Sequence, residues 1–186
     1  CQKFKYGTAC SLKSRNTVCS SFSKSSVFKL SLPILGCNLY LTGRDTSKLK
    51  ALANELNLQN NYDYRINFQA CDFEINSSVD TMISEAKKTI QRIDILINCA
   101  AINYAKRHDE IDIYEWEEVF RVNLSSIFLI SNAVLPLMKK NNYGKIVNVS
   151  SIAGRHRSIV SGIHYVTSKA ALIGYTRQLA YEVGEW

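Results

Sequence analysis

From Ile34 onward, short runs rich in β-branched and aromatic residues alternate with longer runs whose apolar residues recur every three or four positions. That alternation restricts the chain to parallel strands joined by crossover helices, because neighbouring parallel strands need a long connection between them. Residues 38–42 predict a buried strand. Residues 46–56 predict a helix with Leu49, Leu52, Ala53 and Leu56 on one side and Asp45 or Thr46 as its cap. A second unit pairs a strand at 65–71, leading into Asp72, with a helix at 78–91 whose stripe is Val79, Met82, Ile83, Ala86 and Ile90. Residues 93–97 form an apolar run broken only by Asp94, as expected of a strand covered on both faces, and the run ends at Asn98. A long helical pattern fills 112–140, with Pro136 near its end where a kink is tolerated. A strand at 145–149 and a closing helix at 164–183 complete the series. The expected fold class is α/β, a doubly wound parallel sheet with helices on both faces.

The 186 residues, 46% of them hydrophobic, suit one domain with a single core. The net charge of +7 is concentrated in residues 1–33, which carry Lys3, Lys5, Lys13, Arg15, Lys24 and Lys29 and no acid. The rest is nearly neutral and has no basic stripe interleaved with aromatics, so no nucleic-acid partner is expected. Residues 1–33 are also rich in serine and lack a period of 2 or 3.6, so they are expected outside the core, with the folded domain at 34–186. Their composition suits a transit peptide, a disordered segment or residues foreign to the domain equally well. The location is accordingly expected to be cytoplasmic, or organellar if residues 1–31 are a transit peptide. Six cysteines stand far apart and never as C-x-x-C, which predicts free thiols and no metal site. The apolar stretches are interrupted by Asn, Ser or Lys, so no membrane span is expected.

Several polar residues fall where an open α/β sheet binds its ligand, at the carboxyl ends of the strands. Tyr165 and Lys169 lie four apart on one helix and share a face. A tyrosine, with an ordinary pKa of about 10, is a poor acid-base catalyst at neutral pH, and a desolvated ammonium beside it would favour the phenolate. Such a pair also arises by chance in a chain this rich in both residues. Ser151, just beyond the strand at 145–149, could hydrogen-bond a substrate carbonyl or simply cap a turn. Asn98 ends another strand at the same edge. Asn123 sits in an apolar helical stretch, where a buried amide must find partners, either in the core or at a water. Arg44 follows the strand at 38–42, where an arginine suits a phosphate and also suits a solvated loop.

Together the segments LYLTGRD (39–45), CD (71–72), ILINCAA (95–101), VNLSS (122–126), GKIVNVSSIAG (144–154) and YVTSKAALIG (165–174) resemble the short-chain dehydrogenase/reductase family, from about Leu35 to Trp186. The resemblance is strongest to 3-oxoacyl-(acyl-carrier-protein) reductases and related sugar-alcohol dehydrogenases. It implies a Rossmann-type fold and hydride transfer between NADP, rather than NAD, and a small carbonyl or secondary alcohol substrate, with 3-oxoacyl reduction as one form. Tyr165 would then be the general acid-base and Ser151 would orient the carbonyl. Lys169 would support the phenolate and bind the nicotinamide ribose, and Asn123 would anchor a relay water. Arg44 would meet the 2′-phosphate, Asp72 would lie beside the adenine and Asn98 under the cofactor. A homodimer or homotetramer is implied for a complete family member.

Three departures qualify the likeness. No TGxxxGxG turn precedes Leu35, although its glycines let backbone amides approach a pyrophosphate. The family's N-A-G segment reads Asn98-Cys99-Ala100-Ala101, with a methyl where glycine is usual. The last sheet strands and the substrate loop do not follow Trp186. The expected fold is therefore incomplete, with its first βα unit aberrant or missing and its last strands missing. A non-catalytic fragment or pseudoenzyme that pairs with an intact relative through the helices at 112–140 and 164–183 is the alternative expectation.

Overall fold

The computed structural model describes residues 16–20, 37–58 and 65–186. Five strands, β1 (Asn16–Ser20), β2 (Asn38–Gly43), β3 (Ile66–Ala70), β4 (Ile95–Asn98) and β5 (Lys145–Asn148), form one sheet in the order β3-β2-β1-β4-β5. Every pairing is parallel. Crossovers are supplied by α1 (Thr46–Leu58), α2 (Asn76–Thr89) and the pair α3 (Ile113–Phe120) and α4 (Ser126–Lys140), and α5 (Ile163–Val183) follows β5. The sheet runs outward from β1 in both directions, so the strand order reverses between β1 and β4 and opens a crevice at the carboxyl ends there.

The strand β1 corrects one boundary. Residues 1–33 were expected outside the core, yet Asn16–Ser20 form the central strand, hydrogen-bonded to β2 on one side and β4 on the other. Val18 is 3% exposed and belongs to the main core cluster. Composition concealed it, because a five-residue strand among serines and lysines has no amphipathic period to detect. The rest of the 1–33 segment lies outside the described residues.

Alternation along β2 divides the core between two faces. Leu39 and Leu41 pack with Leu49, Leu52 and Leu56 of α1. Tyr40 points the other way, into a cluster with Val18, Leu96, Val79 and Met82 of α2 and Ile130 and Val134 of α4. Side chains on a strand alternate with period 2, so one strand serves both layers. The helices therefore cover both faces, as the sequence predicts. The strand expected at 93–97 begins two residues later, at Ile95, because Asp94 is only 1% exposed and is tied to the Arg92 guanidinium at 2.7 Å.

The helical pattern at 112–140 is not one regular helix. Asp112 caps α3 by accepting from the Glu115 amide at 2.8 Å, and a wide π-turn at Arg121–Ser125 separates α3 from α4. By length and composition Ile113–Lys140 is apolar enough to cross a membrane, contrary to expectation. In the fold it buries Val119, Ile127, Ile130, Val134 and Met138. At its end Asn142 takes a left-handed φ of 48°, the Tyr143 amide donates to the Met138 carbonyl and the Asn142 amide to that of Lys139. This is the Schellman arrangement, which satisfies the last carbonyls of a helix. Cys37, Cys71 and Cys99 are thiols rather than disulfides.

Replacing Val18 with Asp puts a carboxylate into the centre of the sheet and is predicted to lower the unfolding free energy by roughly 3 kcal/mol or more, read by urea denaturation. An unchanged midpoint would place the segment outside the core. Asn142→Gly, which removes the residual strain of a left-handed side chain, is predicted to stabilise by about 0.5 kcal/mol in thermal unfolding.

Candidate active site

The carboxyl ends of β4 and β5 carry two of the expected residues and support a third. Asn98, the last residue of β4, is fully buried; its Nδ2 donates to Asn148 Oδ1 at 2.8 Å, and Asn148 Nδ2 donates to Thr176 Oγ1 at 2.9 Å. Among the described residues, Asn98 Oδ1 is buried without a hydrogen-bond partner. An orphaned buried acceptor at a ligand-binding edge is a place for an external donor. Beyond β5, Ser151 stands at the start of a 3₁₀ turn (Ile152–Gly154), where its hydroxyl accepts from the Ala153 amide at 3.2 Å. Of the two readings of Ser151, the turn cap is observed, and it stands at the sheet edge.

The helix α5 brings Tyr165 and Lys169 to the same place. Lys169 is 2% exposed, its ammonium donates to the Val149 carbonyl at 2.9 Å, and it lies 5.8 Å from the Tyr165 ring centre. Burial pushes its pKa below the ordinary lysine value, with a smaller opposing effect from Cys99. The ammonium therefore sits desolvated between a strand end and a phenol. Gly154 lets this happen, since a Cβ there would stand 2.7 Å from the Lys169 backbone carbonyl and force the 3₁₀ turn away from α5.

Asn123 lies in the π-turn and is fully buried. Its Oδ1 accepts from the Ile102 amide at 2.9 Å, while Nδ2 donates to the Ile102 carbonyl and to Ser168 Oγ, both at 3.0 Å. Ser168 in turn donates to the Tyr165 carbonyl at 2.8 Å. One carboxamide thus ties the loop after β4 to the π-turn and to the turn of α5 that bears Tyr165. Both of its donors are engaged by protein atoms.

Arg44 and Asp72 meet at a separate cleft, lined also by Phe73, Glu74, Ala100 and Ile102. Arg44 is paired with Glu74 at 2.9 Å, and Asp72 accepts from the Glu74 amide at 3.0 Å. Burial, followed by the nearby Asp72 and Glu118 charges, pushes the Glu74 carboxyl above its usual range against the pull of Arg44. Ala100, where the family places glycine, is buried and lines this cleft.

Residues 31–186 match the family model described as short chain dehydrogenase. The chain belongs to the short-chain dehydrogenases. It is 34% identical over 148 residues to the 3-oxoacyl-[acyl-carrier-protein] reductase of Aquifex aeolicus, a match that covers 80% of this chain and 58% of that protein. It is 36% identical over 101 residues to the acetoacetyl-CoA reductase of Allochromatium vinosum, covering 54% of this chain and 41% of the other. A crystal structure of a 3-oxoacyl-[acyl-carrier protein] reductase with bound NAD from Brucella melitensis superposes with a TM-score of 0.81 at 25% identity, covering 99% of this chain and 73% of that one. The chain thus spans about 41–63% of the length of the curated relatives it matches.

Short-chain dehydrogenases use a nicotinamide cofactor, and two parts of this site suit one. The orphaned Asn98 acceptor lies at the crevice, and the Arg44 and Asp72 cleft lies beyond β2 and β3. The intervening phosphate cradle is not written in the sequence, since residues 21–36, which follow β1, include Gly36 as their single glycine. The sequence of this short-chain dehydrogenase points to Ser151, Tyr165, Lys169 and Asn123 but does not point to the residues that support them. Ser168, Gly154 and Asn148 lie inside the segments that resemble the family but have no assigned role there, and Glu74 carries no signal that spacing could reveal.

Because the folded state holds Lys169 with a lowered pKa, it binds fewer protons than the unfolded state between that pKa and 10.5. Unfolding free energy therefore rises with pH across this window, and below it the full cost of the buried ammonium is present. Lys169→Met is predicted to exceed the parent in stability at about pH 7 and to lose that advantage near about pH 11, as measured by urea unfolding at both.

Proposed function

We propose that this short-chain dehydrogenase transfers hydride between NADP(H) and a carbonyl or secondary alcohol, with 3-oxoacyl thioesters as the favoured substrate class. The observation that carries the proposal is the desolvated Lys169 ammonium beside Tyr165, held by the Val149 carbonyl at the strand end that leads to Ser151. In the reducing direction Tyr165 delivers a proton to the carbonyl oxygen, and Ser151 Oγ holds that oxygen by a hydrogen bond. Lys169 stabilises the phenolate left behind, through a charge interaction strengthened by burial. The bound nicotinamide supplies or accepts the hydride. Asn123 holds the helix turn that carries Tyr165, and a relay water would bond its oxygen side. Asn98 would offer its free acceptor to the cofactor, and Asp72 would lie beside the adenine.

The preference for NADP rests on Arg44, whose guanidinium stands on the cleft rim, 60% exposed, where it can exchange Glu74 for a 2′-phosphate. The names of the Aquifex and Allochromatium relatives support the acyl substrate class. In an oligomer, the surfaces of α4 and α5 would supply the contacts.

A second reading is favoured by one feature, the single glycine among residues 21–36. Without a glycine turn a dinucleotide forfeits backbone hydrogen bonds to charge worth about 1.5–3 kcal/mol each. Under that reading the chain is a non-catalytic family member that acts by pairing with an intact relative.

Titration of the folded chain with NADPH and NADH, followed by an assay of NADPH-dependent acetoacetyl-CoA reduction, separates the two. The reductase reading predicts turnover that Tyr165→Phe lowers by about 10²–10⁴-fold with little change in KM. It also predicts that Arg44→Ala weakens NADPH binding roughly tenfold and leaves NADH binding unchanged. A folded chain that binds neither nucleotide supports the pairing reading.

A further inference from the structure

His164, the residue before Tyr165, is fully buried and has no part in the chemistry described above. Its two ring nitrogens have different partners. Nδ1 accepts a hydrogen bond from the Tyr165 backbone amide at 2.9 Å, and Nε2 lies 3.0 Å from Glu115 Oε1. A nitrogen that accepts from an amide carries no proton, so the ring proton is on Nε2, where it donates to the carboxylate. Glu115 is itself held by Lys106 through its other oxygen, and that bond is the leading cause of its lowered pKa.

The place of this amide in the helix gives the arrangement its meaning. Tyr165 is the third residue of α5, so its N–H is one of the first-turn donors that have no partner within the helix. A Ser, Thr, Asp or Asn at the cap position ordinarily accepts from such a donor. Here the cap residue is Gly162 and makes no side-chain bond. A Cβ on Gly162 would stand 2.4 Å from His164 Cε1 and 2.8 Å from both His164 Nδ1 and the Tyr104 carbonyl oxygen. The imidazole occupies the space of a capping side chain and performs its task from within the helix. Gly162 is fixed in turn by its own amide, which donates to the Tyr104 carbonyl at 2.8 Å.

We infer that His164 and Glu115 are positioning residues for Tyr165: Glu115 holds the imidazole as its Nε2–H tautomer, and the imidazole caps α5 at the Tyr165 amide and so sets where the phenol stands. The Tyr165 backbone is then held on two sides, by His164 at its amide and by Ser168 at its carbonyl. Glu115 carries this constraint to α3, and Lys106 carries it to the loop after β4. The consequence for catalysis rests on Tyr165 acting as the proton donor proposed above; the capping geometry does not.

Two substitutions divide the roles of the ring. Asn at 164 presents its side-chain oxygen near the position of Nδ1 and keeps an acceptor for the amide. Gln reaches toward Glu115 and leaves the amide without one. The experiment uses the full chain, labelled with ¹⁵N, with folding of each variant verified by circular dichroism. Imidazole ¹⁵N shifts in the parent are expected to show the Nε2–H tautomer. His164→Gln is expected to speed hydrogen exchange at the Tyr165 amide roughly tenfold, whereas His164→Asn changes it less than about threefold. If the chain reduces acetoacetyl-CoA, His164→Gln is expected to lower kcat at nearly constant KM, with His164→Asn restoring most of it. An Nδ1–H tautomer, or equal exchange at Tyr165 in the two variants, overturns the inference. An inactive parent with the expected tautomer and exchange pattern would overturn the reductase reading alone.

Discussion

Parallel strand pairing is the constraint from which the rest of this structure follows. Each parallel neighbour requires a crossover, and each strand delivers its carboxyl end to the same edge. With β1 at the centre and the winding reversed on either side, β4 and β5 end together. Asn98 and Ser151 therefore share one crevice, although more than fifty residues of chain separate them. Their proximity comes from the crossover through α3 and α4, and no local sequence preference could have produced it.

Assembling polar groups in that crevice has a cost, since a buried amide or ammonium without partners destabilises by about 1–3 kcal/mol or more. The chain offsets it by saturating nearly every one. Asn123 makes three hydrogen bonds, Lys169 is bound to Val149, and His164 uses both ring nitrogens. The same bonds that remove the cost also make the site rigid. Among the described residues Asn98 Oδ1 is left over, at the carboxyl end of β4. Under the proposed reductase function, a site built this way would leave Tyr165 and Lys169 little freedom before a substrate arrived, and pre-paid orientation of that kind is a large part of enzymatic rate enhancement.

The relatives place this arrangement within a family while leaving the chain distinctive. The match to the Aquifex reductase covers 58% of that protein, and the familiar glycines are not found among the residues after β1. The polar constellation around Tyr165 and Lys169 and the phosphate cradle are thus separable parts of the fold: the first lies within the described residues, and the second is not written in the sequence. That separation explains why one family assignment supports both an active reductase and a non-catalytic partner.

Much of the fold was legible because hydrophobic period is a local property. The stripe Val79, Met82 and Ala86 is buried on α2 as its spacing requires, and Leu39 and Leu41 share a face because strands alternate. The strand β1 was not legible, since five residues with no amphipathic period acquire their role only when β2 and β4 enclose them. The break in the helical pattern at Asn123 was hidden for a similar reason: the amide's demand for the Ile102 backbone widens the turn, and that demand exists only once the loop after β4 is in place. By itself the sequence determined most of the element types, the two-sided core, the place of Asn98 and Ser151 at one sheet edge, and the pairing of Tyr165 and Lys169 on one helix face. Tertiary structure alone decided that Gly162 would leave its cap position to His164, that Glu115 would set the ring's tautomer, and that Glu74 would hold Arg44, because each depends on contacts between residues distant in the chain.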